Sequence, residues 1–304
     1  MKKLIHFVCI VFCMGMVLFQ SCKKETPAPT ASFTAAIDGG VVSFAAVVTD
    51  DSKYEWDFGD GSYINTLKAP VHTYIQVAVP VDVNVSLTIK GPGGQVTVTN
   101  KITIPAKTKL EYLTGGKPAS SSSRKWRINI AAAFLDVTFA DANFTSQIPA
   151  SSRIGGAFGQ VGLSKVYLDE FVFKSDGTLT INSKGGGIFA SLAYCMANSI
   201  PMSANYINLG LAYTKTFTSL AGATFTINEG KNYTISTPAG DVTYSNVMTL
   251  SFTNGGFLGM KDFTSECIIK KLTDKEMNAI IFYAHPSYGA KPMLALNLTF
   301  ETVQ

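Results

Sequence analysis

Charged side chains and histidines are scarce in this chain. Only 15% of its 304 residues are charged, and there are three histidines. Lysine and arginine (25) slightly outnumber aspartate and glutamate (21), but Lys2 and Lys3 lie in a segment that we expect to be removed. The remaining chain is near neutral and has no basic run. The sequence therefore predicts no nucleic-acid partner.

Patterns typical of catalytic and metal sites are also missing. There is no Cys-x-x-Cys, and only His72 and His285 remain after loss of the N-terminal segment, so we expect no metal site and no cofactor. Neither a Gly-x-Ser-x-Gly turn nor a Glu-x-Asp-x-x-Glu strand is present. Asp136, Asp141 and Glu170 are the mild candidates for a hydrolase, and we predict against them. We expect no catalytic residues and no enzyme activity.

The apolar run at the start of the chain is too short to span a membrane as a helix. Lys2-Lys3 precedes an apolar stretch from Leu4 to Leu18, of about 15 residues, which is typical of a secretory signal. The run Leu18-Phe-Gln-Ser-Cys22 resembles the lipobox of bacterial lipoproteins, in which the cysteine becomes the lipidated first residue. We therefore predict residues 1–22 to be a lipoprotein signal with lipidation at Cys22. An ordinary signal peptide with a chance cysteine is the alternative.

The lipobox resemblance implies a protein held in the outer membrane by a lipid anchor, because several acyl chains together give stable attachment. Residues 23–30 contain two prolines and no apolar pattern, which predicts a flexible tether. Exposure at the cell surface stays open. Surface lipoproteins often carry acidic residues after the cysteine, whereas here Lys23-Lys24 precedes only Glu25.

Two of the five cysteines, Cys195 and Cys267, are expected in the folded mature domains. The others lie in the signal or carry the lipid. In an oxidising envelope the remaining two either pair or stay as isolated buried thiols, and spacing alone does not decide between these outcomes.

The most specific pattern is the nonapeptide Tyr54-Glu-Trp-Asp-Phe-Gly-Asp-Gly-Ser62. Its apolar residues alternate, which predicts a half-buried strand, and its two glycines permit positive φ in a following turn. Asp57 and Asp60 fit turn capping better than calcium binding. We interpret Trp56 as a core residue rather than a ligand platform.

This nonapeptide, together with Ala69-Pro-Val-His-Thr-Tyr74, resembles the signature of the PKD domain, a small immunoglobulin-like β-sandwich. Strand-like segments separated by turns predict an all-β chain, with hairpin turns at Asp176-Gly177 and Thr273–Glu276. We expect a PKD-like domain over residues 31–105, a glycine- and serine-rich linker over 106–123, and a larger antiparallel domain over 124–304. The second domain is expected to be a β-sandwich, jelly roll or open barrel.

Three further segments are similar to segments of Bacteroidetes surface lipoproteins: Leu113–Arg127, Glu170–Thr180 and Met248–Gly259. In those proteins a PKD-like module precedes a β-sandwich thought to bind glycans. The resemblance implies a non-catalytic envelope lipoprotein that binds an oligosaccharide or polysaccharide through its C-terminal domain, with the PKD-like domain as spacer. The alternatives are an adhesin or accessory protein that binds another envelope protein and, less favoured, a degenerate glycoside hydrolase.

Glycan binding needs aromatic faces for the apolar side of a sugar ring and polar groups for its hydroxyls, and loops at one end of a sandwich usually supply both. The second domain has such residues in or beside predicted loops. The aromatic candidates are Tyr194, Tyr206, Tyr213, Phe257 and Tyr288. The polar candidates are Asn205, Asn254 and Arg153. For each aromatic residue the alternative is a packing role at the end of the domain.

Overall fold

The computed structural model describes residues 26–49, 53–117, 120–132, 136–144, 155–218 and 220–303. The chain divides into two compact units, Met1–Lys107 and Thr108–Gln304. Both consist mainly of antiparallel strands, which confirms the predicted all-β class. Two predicted functional residues, Cys22 and Arg153, lie outside the described residues.

The first unit contains two three-stranded antiparallel sheets in its described part. Its strands are β1 (Ala31–Asp38), β2 (Val41–Val48), β3 (Lys53–Asp57), β4 (Val71–Thr73), β5 (Val81–Gly91) and β6 (Gly94–Ile104). One sheet has the order β1-β2-β4 and the other β3-β5-β6. Strand β4 has only three residues, which are too few to show the alternation that predicts a strand.

Aromatic packing joins the two sheets of the first unit into a sandwich. Phe33 and Phe44 of the β1-β2-β4 sheet lie 5.1 and 5.3 Å, between ring centroids, from Trp56 of the other sheet. Trp56 is fully buried, and its indole Nε1 donates a hydrogen bond to the Leu67 carbonyl at 2.8 Å. The core role predicted for Trp56 is confirmed.

The two aspartates of the nonapeptide cap the turn that follows β3. Asp57 Oδ1 accepts a hydrogen bond from the Gly59 N–H at 2.9 Å, and Asp60 Oδ1 accepts one from the Ser62 N–H at 3.1 Å. Asp60 Oδ2 also lies 2.7 Å from His72 Nε2. Because Asp57 and Asp60 each accept a hydrogen bond from the backbone N–H two residues later, the turn-capping interpretation is confirmed.

The second unit has twelve strands and three short α-helices in its described part. The helices are α1 (Lys109–Thr114), α2 (Ala157–Gln160) and α3 (Leu192–Ala197). The strands are β7 (Ser123–Ile128), β8 (Asp136–Phe139), β9 (Glu170–Lys174), β10 (Leu179–Asn182), β11 (Phe189–Ser191), β12 (Met202–Tyr206), β13 (Leu211–Thr214), β14 (Phe225–Thr237), β15 (Gly240–Phe252), β16 (Glu266–Leu272), β17 (Glu276–Ala284) and β18 (Pro292–Val303).

Nine of these strands form one sheet that curls until its edges meet. The order is β10-β9-β7-β18-β17-β16-β15-β14, with β8 also paired to β18. The two edge strands begin side by side, because the N–H of Leu179, the first residue of β10, donates to the Ala223 carbonyl and the N–H of Phe225, the first residue of β14, donates to the Gly177 carbonyl, each at 2.9 Å. Of the expected alternatives for this domain, a barrel therefore describes the sheet best.

Alternation along the strands divides the apolar side chains of the second unit between two faces. Ala279, Ile281 and Tyr283 of β17 belong to the large core enclosed by the curled sheet, whereas Ile280 and Phe282 belong to a separate cluster on the other face. Shifts of register in the β14–β15 hairpin accompany the packing of its outer half into that second cluster.

The predicted linker is partly corrected, because helix α1 belongs to the second unit. Thr108 and Glu111 form a capping box at its start, and Gly115 ends it with φ of 84°. Leu113 is fully buried in the core of the second unit, and its carbonyl accepts a hydrogen bond from the indole Nε1 of Trp126 at 2.9 Å. The flexible appearance of this segment came from its glycines, one of which is a helix cap.

Both described cysteines are free and buried, in different core clusters, so the structure favours isolated thiols over a disulfide. Among the described residues, no helix has the length and apolar character needed to cross a membrane.

Candidate functional site

A small three-stranded sheet, with the order β11-β13-β12, frames the candidate site. The segment around Lys261 joins it, since the Lys261 N–H donates to the Phe189 carbonyl and the Ser191 N–H donates to the Lys261 carbonyl, each at 2.9 Å. Helix α3 begins immediately after β11. Residues 189–191 pair with β13 as strand β11, so the helix begins only at Leu192.

A cleft of about 260 Å³ lies beside this sheet. Its walls come from the end of β13, the loop after β13, helix α3 and the loop between β15 and β16. The lining residues are Ile188, Tyr194, Ile200, Thr214, Thr216, Phe217, Thr218, Leu220, Gly255, Phe257 and Lys261. Apolar side chains predominate, with three threonines, one tyrosine and one lysine as the polar groups. Such a mixture is typical of small-molecule binding sites.

Two of the predicted aromatic residues, Tyr194 and Phe257, meet in this cleft. They are separated by more than sixty positions in the sequence, and the Lys261 ammonium joins them. Its Nζ lies 5.6 Å from each ring centroid, within the range of a cation–π contact. Nζ also donates a hydrogen bond to the Gly255 carbonyl at 3.0 Å.

The two rings have different roles. Phe257 is only 3% exposed and packs edge-on against Phe171, so it serves as a packed wall of the cleft rather than an open platform. Tyr194 is half-buried and contacts Phe263 edge-on. Burial is the main cause that raises the pKa of Tyr194, so its hydroxyl stays protonated at neutral pH and can donate a hydrogen bond.

Asp262 holds the backbone next to Lys261. This residue is 2% exposed; its Oδ1 accepts a hydrogen bond from the Ser191 hydroxyl, and its Oδ2 accepts one from the Ala284 N–H at 3.3 Å. Burial raises the pKa of Asp262 to about 6, and these hydrogen bonds oppose that rise. Asp262 therefore fixes the position of Lys261 without itself lining the cleft.

The prediction that Tyr213 binds a ligand is corrected. This residue is 1% exposed on β13, and its hydroxyl oxygen lies within hydrogen-bond distance of both Asp169 Oδ1, at 3.0 Å, and the Gly187 carbonyl oxygen, at 2.8 Å. Burial raises the pKa of Asp169 to about 7, while the Tyr213 hydroxyl and the Phe189 N–H oppose the rise. Tyr213 is a core residue that was placed near a loop because strand β13 has only four residues.

The other predicted residues do not line the cleft. Asn205 is exposed, and Tyr206 is half-buried at the end of β12. Tyr288 is 49% exposed in a short turn, with its ring 5.9 Å from that of His285. Asn254 is exposed, and its Nδ2 donates to the Gly222 carbonyl at 2.6 Å. Arg153 lies outside the described residues.

Lys261 is the charged residue of the cleft that the sequence did not predict, and the threonines of the lining were not predicted either. One signal was present, since Lys261 and Asp262 are the only charged residues between Thr253 and Ser265, in a stretch rich in glycine and apolar residues. A charged side chain in such a stretch is either exposed to solvent or part of a polar binding site, and the sequence alone does not distinguish these two cases.

The carboxylates considered for a hydrolase have structural contacts. Glu170 is 5% exposed and forms an ion pair with Lys184. Asp141 accepts a hydrogen bond from the Asn143 N–H at 2.9 Å, and Asp136 Oδ2 lies 3.4 Å from Asn297 Nδ2. The described part of the cleft lining contains no carboxylate. No group of three or more metal-binding side chains occurs among the described residues.

The fold defines an all-β protein of two units with a small, mainly apolar cleft in the second. In comparisons with solved structures, part of the chain is similar to the PKD1 domain of Vibrio anguillarum Epp, at 31% identity over 27% of this chain and 100% of that domain, with a TM-score of 0.25. It is likewise similar to the PKD1 domain of the Vibrio cholerae metalloprotease PrtV, at 30% identity over 27% of this chain and 99% of that domain, with a TM-score of 0.22. No protein-family model and no curated protein matches the chain.

Proposed function

We propose that this chain is a non-catalytic, lipid-anchored outer-membrane protein whose second unit binds an oligosaccharide in the cleft between Tyr194 and Lys261. The first unit is the spacer that carries this binding unit away from the membrane. The proposal for the anchor comes from the Leu18–Cys22 lipobox resemblance. The observation that carries the binding proposal is the convergence of an aromatic wall, an ammonium group and threonine hydroxyls on one concave site.

The chemistry of the cleft suits a sugar ring. A sugar has an apolar face and a rim of hydroxyls, and the cleft offers apolar walls together with polar groups. The Thr216 and Thr218 side chains line the cleft and are exposed, so their hydroxyls can reach a ligand. A volume of about 260 Å³ is slightly below the roughly 300–1,000 Å³ usual for ligand sites, which fits one sugar unit rather than a long chain.

The contacts of the acidic residues support a binding protein over a glycosidase. Glycoside hydrolysis commonly needs two carboxylates that face the same bond. The two described aspartates whose pKa burial raises most, Asp169 and Asp262, are both almost fully buried and hydrogen-bonded to a tyrosine or serine hydroxyl. Neither lines the cleft. These are the features expected of buried structural groups.

Binding can be tested with residues 23–304 in affinity gels that contain different polysaccharides, followed by calorimetry with short oligosaccharides. We expect one glycan class to retard the protein and Tyr194→Ala to weaken this binding at least about tenfold. Tyr288→Ala is the matched control, since it removes an exposed tyrosine of the same unit that lies outside the cleft. Equal binding by all three proteins would place the site elsewhere.

The anchor has its own test. Cells that express the full chain can be grown with a radiolabelled or alkyne-tagged fatty acid, and we expect label on the wild type but not on Cys22→Ala. Membrane fractionation of both proteins then reports attachment. A labelled Cys22→Ala protein, or an unlabelled wild type, would contradict the lipoprotein proposal without affecting the cleft.

Binding of another envelope protein is the second candidate function, and exposed apolar residues of the first unit favour it. Tyr63 is 97% exposed, Leu67 62% and Ile75 90%, in loops on either side of β4. A concentration of exposed apolar side chains over residues 63–75 is one feature of interaction surfaces. This function can be tested by crosslinking the protein to its neighbours in the cell envelope. We expect the wild type to be crosslinked to one defined partner protein, and the double variant Tyr63→Ser, Ile75→Ser to lose that crosslink.

A further inference from the structure

The Lys261 ammonium differs from most lysines that contact other side chains in the described residues. Lys90, Lys184 and Lys231 each form an ion pair with a glutamate, at Nζ–oxygen distances of 2.5 to 2.6 Å. Lys261 has no ion pair with a described carboxylate, and its described partners are a carbonyl oxygen and two aromatic rings. The cleft therefore contains a cation that no described anion contacts.

The neighbouring carboxylate does not fill this role. Asp262 is directed to the Ser191 hydroxyl and the Ala284 N–H, and it is not part of the cleft lining. Burial lowers the pKa of Lys261 below its ordinary value, and the charge of Asp262 opposes this only in part. A partly desolvated ammonium gains more from a nearby anion than an exposed lysine does, since water screens the interaction less.

The bonding capacity of the ammonium leaves room for a ligand. A lysine ammonium has three N–H donors, and the Gly255 carbonyl accepts from one of them. Because a lysine is a compact point charge rather than a planar fork, it accepts a carboxylate or a sulfate without demanding one geometry. The Thr216 and Thr218 hydroxyls lie in the same lining, where they can meet the neutral hydroxyls of a sugar.

We infer that the ligand of this cleft is an acidic sugar, whose carboxylate or sulfate group is bound by Lys261 while Tyr194 and the threonines contact the rest of the ring. This inference rests on the proposed oligosaccharide-binding function and narrows it to one chemical class. Net charge adds little selectivity, because the mature chain is near neutral. The selection for an anion is therefore local to the cleft.

The test compares a uronate oligosaccharide, a sulfated oligosaccharide and a neutral oligosaccharide of similar length, by calorimetry at low and high salt. We expect at least one acidic ligand to bind more tightly than the neutral one, with affinity that falls as salt rises. Lys261→Met should reduce this acidic binding about tenfold or more, and Lys261→Arg should restore part of it.

Lys215→Met is the matched control. Lys215 is exposed, lies in the loop after β13 between two lining threonines, and is not itself part of the lining, so its loss changes net charge by the same amount. Thermal unfolding of each variant shows whether the fold is retained. A difference in affinity between the uronate and the sulfated oligosaccharide shows which anion the site prefers.

The outcomes separate this inference from the proposed function. Neutral binding that matches acidic binding and is unchanged in Lys261→Met would overturn the inference while leaving oligosaccharide binding intact. Absence of binding to every glycan would overturn both. Binding of acetate or sulfate alone, lost in Lys261→Met and without any glycan affinity, would keep the anion site and overturn the oligosaccharide function.

Discussion

Ser191 and Asp262 share a buried hydrogen bond that ties helix α3 to the segment carrying Lys261. The Ser191 hydroxyl donates to Asp262 Oδ1 and accepts a hydrogen bond from the Tyr194 N–H at 3.1 Å. Both side chains are at most 2% exposed. The Ser191 hydroxyl therefore caps helix α3, which carries Tyr194, and also binds Asp262, the residue next to Lys261. In this way it positions both Tyr194 and Lys261 in the cleft.

Ser191→Ala should lower the free energy of unfolding of the second unit by about 2–4 kcal/mol. Loss of a helix N-cap costs about 1 kcal/mol, and a buried acceptor left without its donor costs about 1–3 kcal/mol. The two tryptophans, Trp56 and Trp126, lie one in each unit. Labelling with 5-fluorotryptophan and following 19F signals through a urea titration therefore reports each unit separately.

Ser236→Ala is the control for this prediction. Its hydroxyl also donates to an aspartate, Asp241, but both residues are exposed, so water can replace the lost contact. We expect a change below about 0.5 kcal/mol. If the two variants were equally stable, the Ser191–Asp262 contact would not be the anchor that its burial indicates.

Asp169→Asn should make the stability of the second unit depend less on pH. The pKa of Asp169 is raised by burial from 3.8 to about 7, so the folded state favours the protonated acid. Its contribution to stability is fully present below about pH 4 and is lost as pH rises through 7. The slope from one such group reaches roughly 1.4 kcal/mol per pH unit.

The measurement is a series of urea titrations from pH 4 to pH 8. Asparagine keeps an oxygen acceptor for the Tyr213 hydroxyl, so the variant should gain stability relative to wild type as pH rises. Asp262, whose pKa is raised to about 6, leaves a residual slope below that pH. Asp176→Asn is the control, because Asp176 is exposed and hydrogen bonds from Thr178 lower its pKa, which places its effect below pH 4.

Hairpins were the part of the fold that the sequence predicted well. Asp176-Gly177 joins β9 to β10, and Thr273 to Glu276 joins β16 to β17, as turn chemistry indicated. The three-strand sheet around the cleft was missed because its strands have three to five residues, too few to show a period. The large sheet closes through contacts between strands that are far apart in the sequence, and a local sequence pattern does not predict such contacts.

The candidate site was predicted only in part, for a related reason. Tyr194 and Phe257 were chosen as loop aromatics, and the fold brings them together around Lys261. Tyr213, chosen by the same criterion, is buried. An aromatic residue near a turn packs or binds according to tertiary contacts, and these contacts depend on strands that the sequence did not resolve.

Leu113→Ala should destabilise the second unit by about 2–5 kcal/mol and leave the first unit unchanged. Leu113 is fully buried in the core of the second unit, so truncation removes apolar contacts and leaves a cavity. Leu168→Ala is the control, since Leu168 is 48% exposed in the same unit. The 19F signals of the two tryptophans report both units. If Leu113→Ala were as stable as the wild type, residues 106–123 would be the flexible linker that the sequence predicted.

Gly59→Ala and Gly61→Ala separate two costs in the nonapeptide turn. Both glycines have positive φ, 74° and 80°, so alanine is strained at either position by about 1–2 kcal/mol. At Gly59 a Cβ would also lie 2.3 Å from the Asn84 carbonyl oxygen, whereas at Gly61 it would meet nothing within 4 Å.

The clash at Gly59 involves the backbone of β5, a central strand of its sheet, so it cannot be relieved by turning a side chain. We therefore expect Gly61→Ala to cost only the strain, and Gly59→Ala to cost about 3 kcal/mol or more in the first unit, read from the Trp56 signal. Equal costs would mean that the turn moves freely away from β5. In that case the nonapeptide would specify the turn through backbone conformation alone, and its first glycine would not be needed for packing.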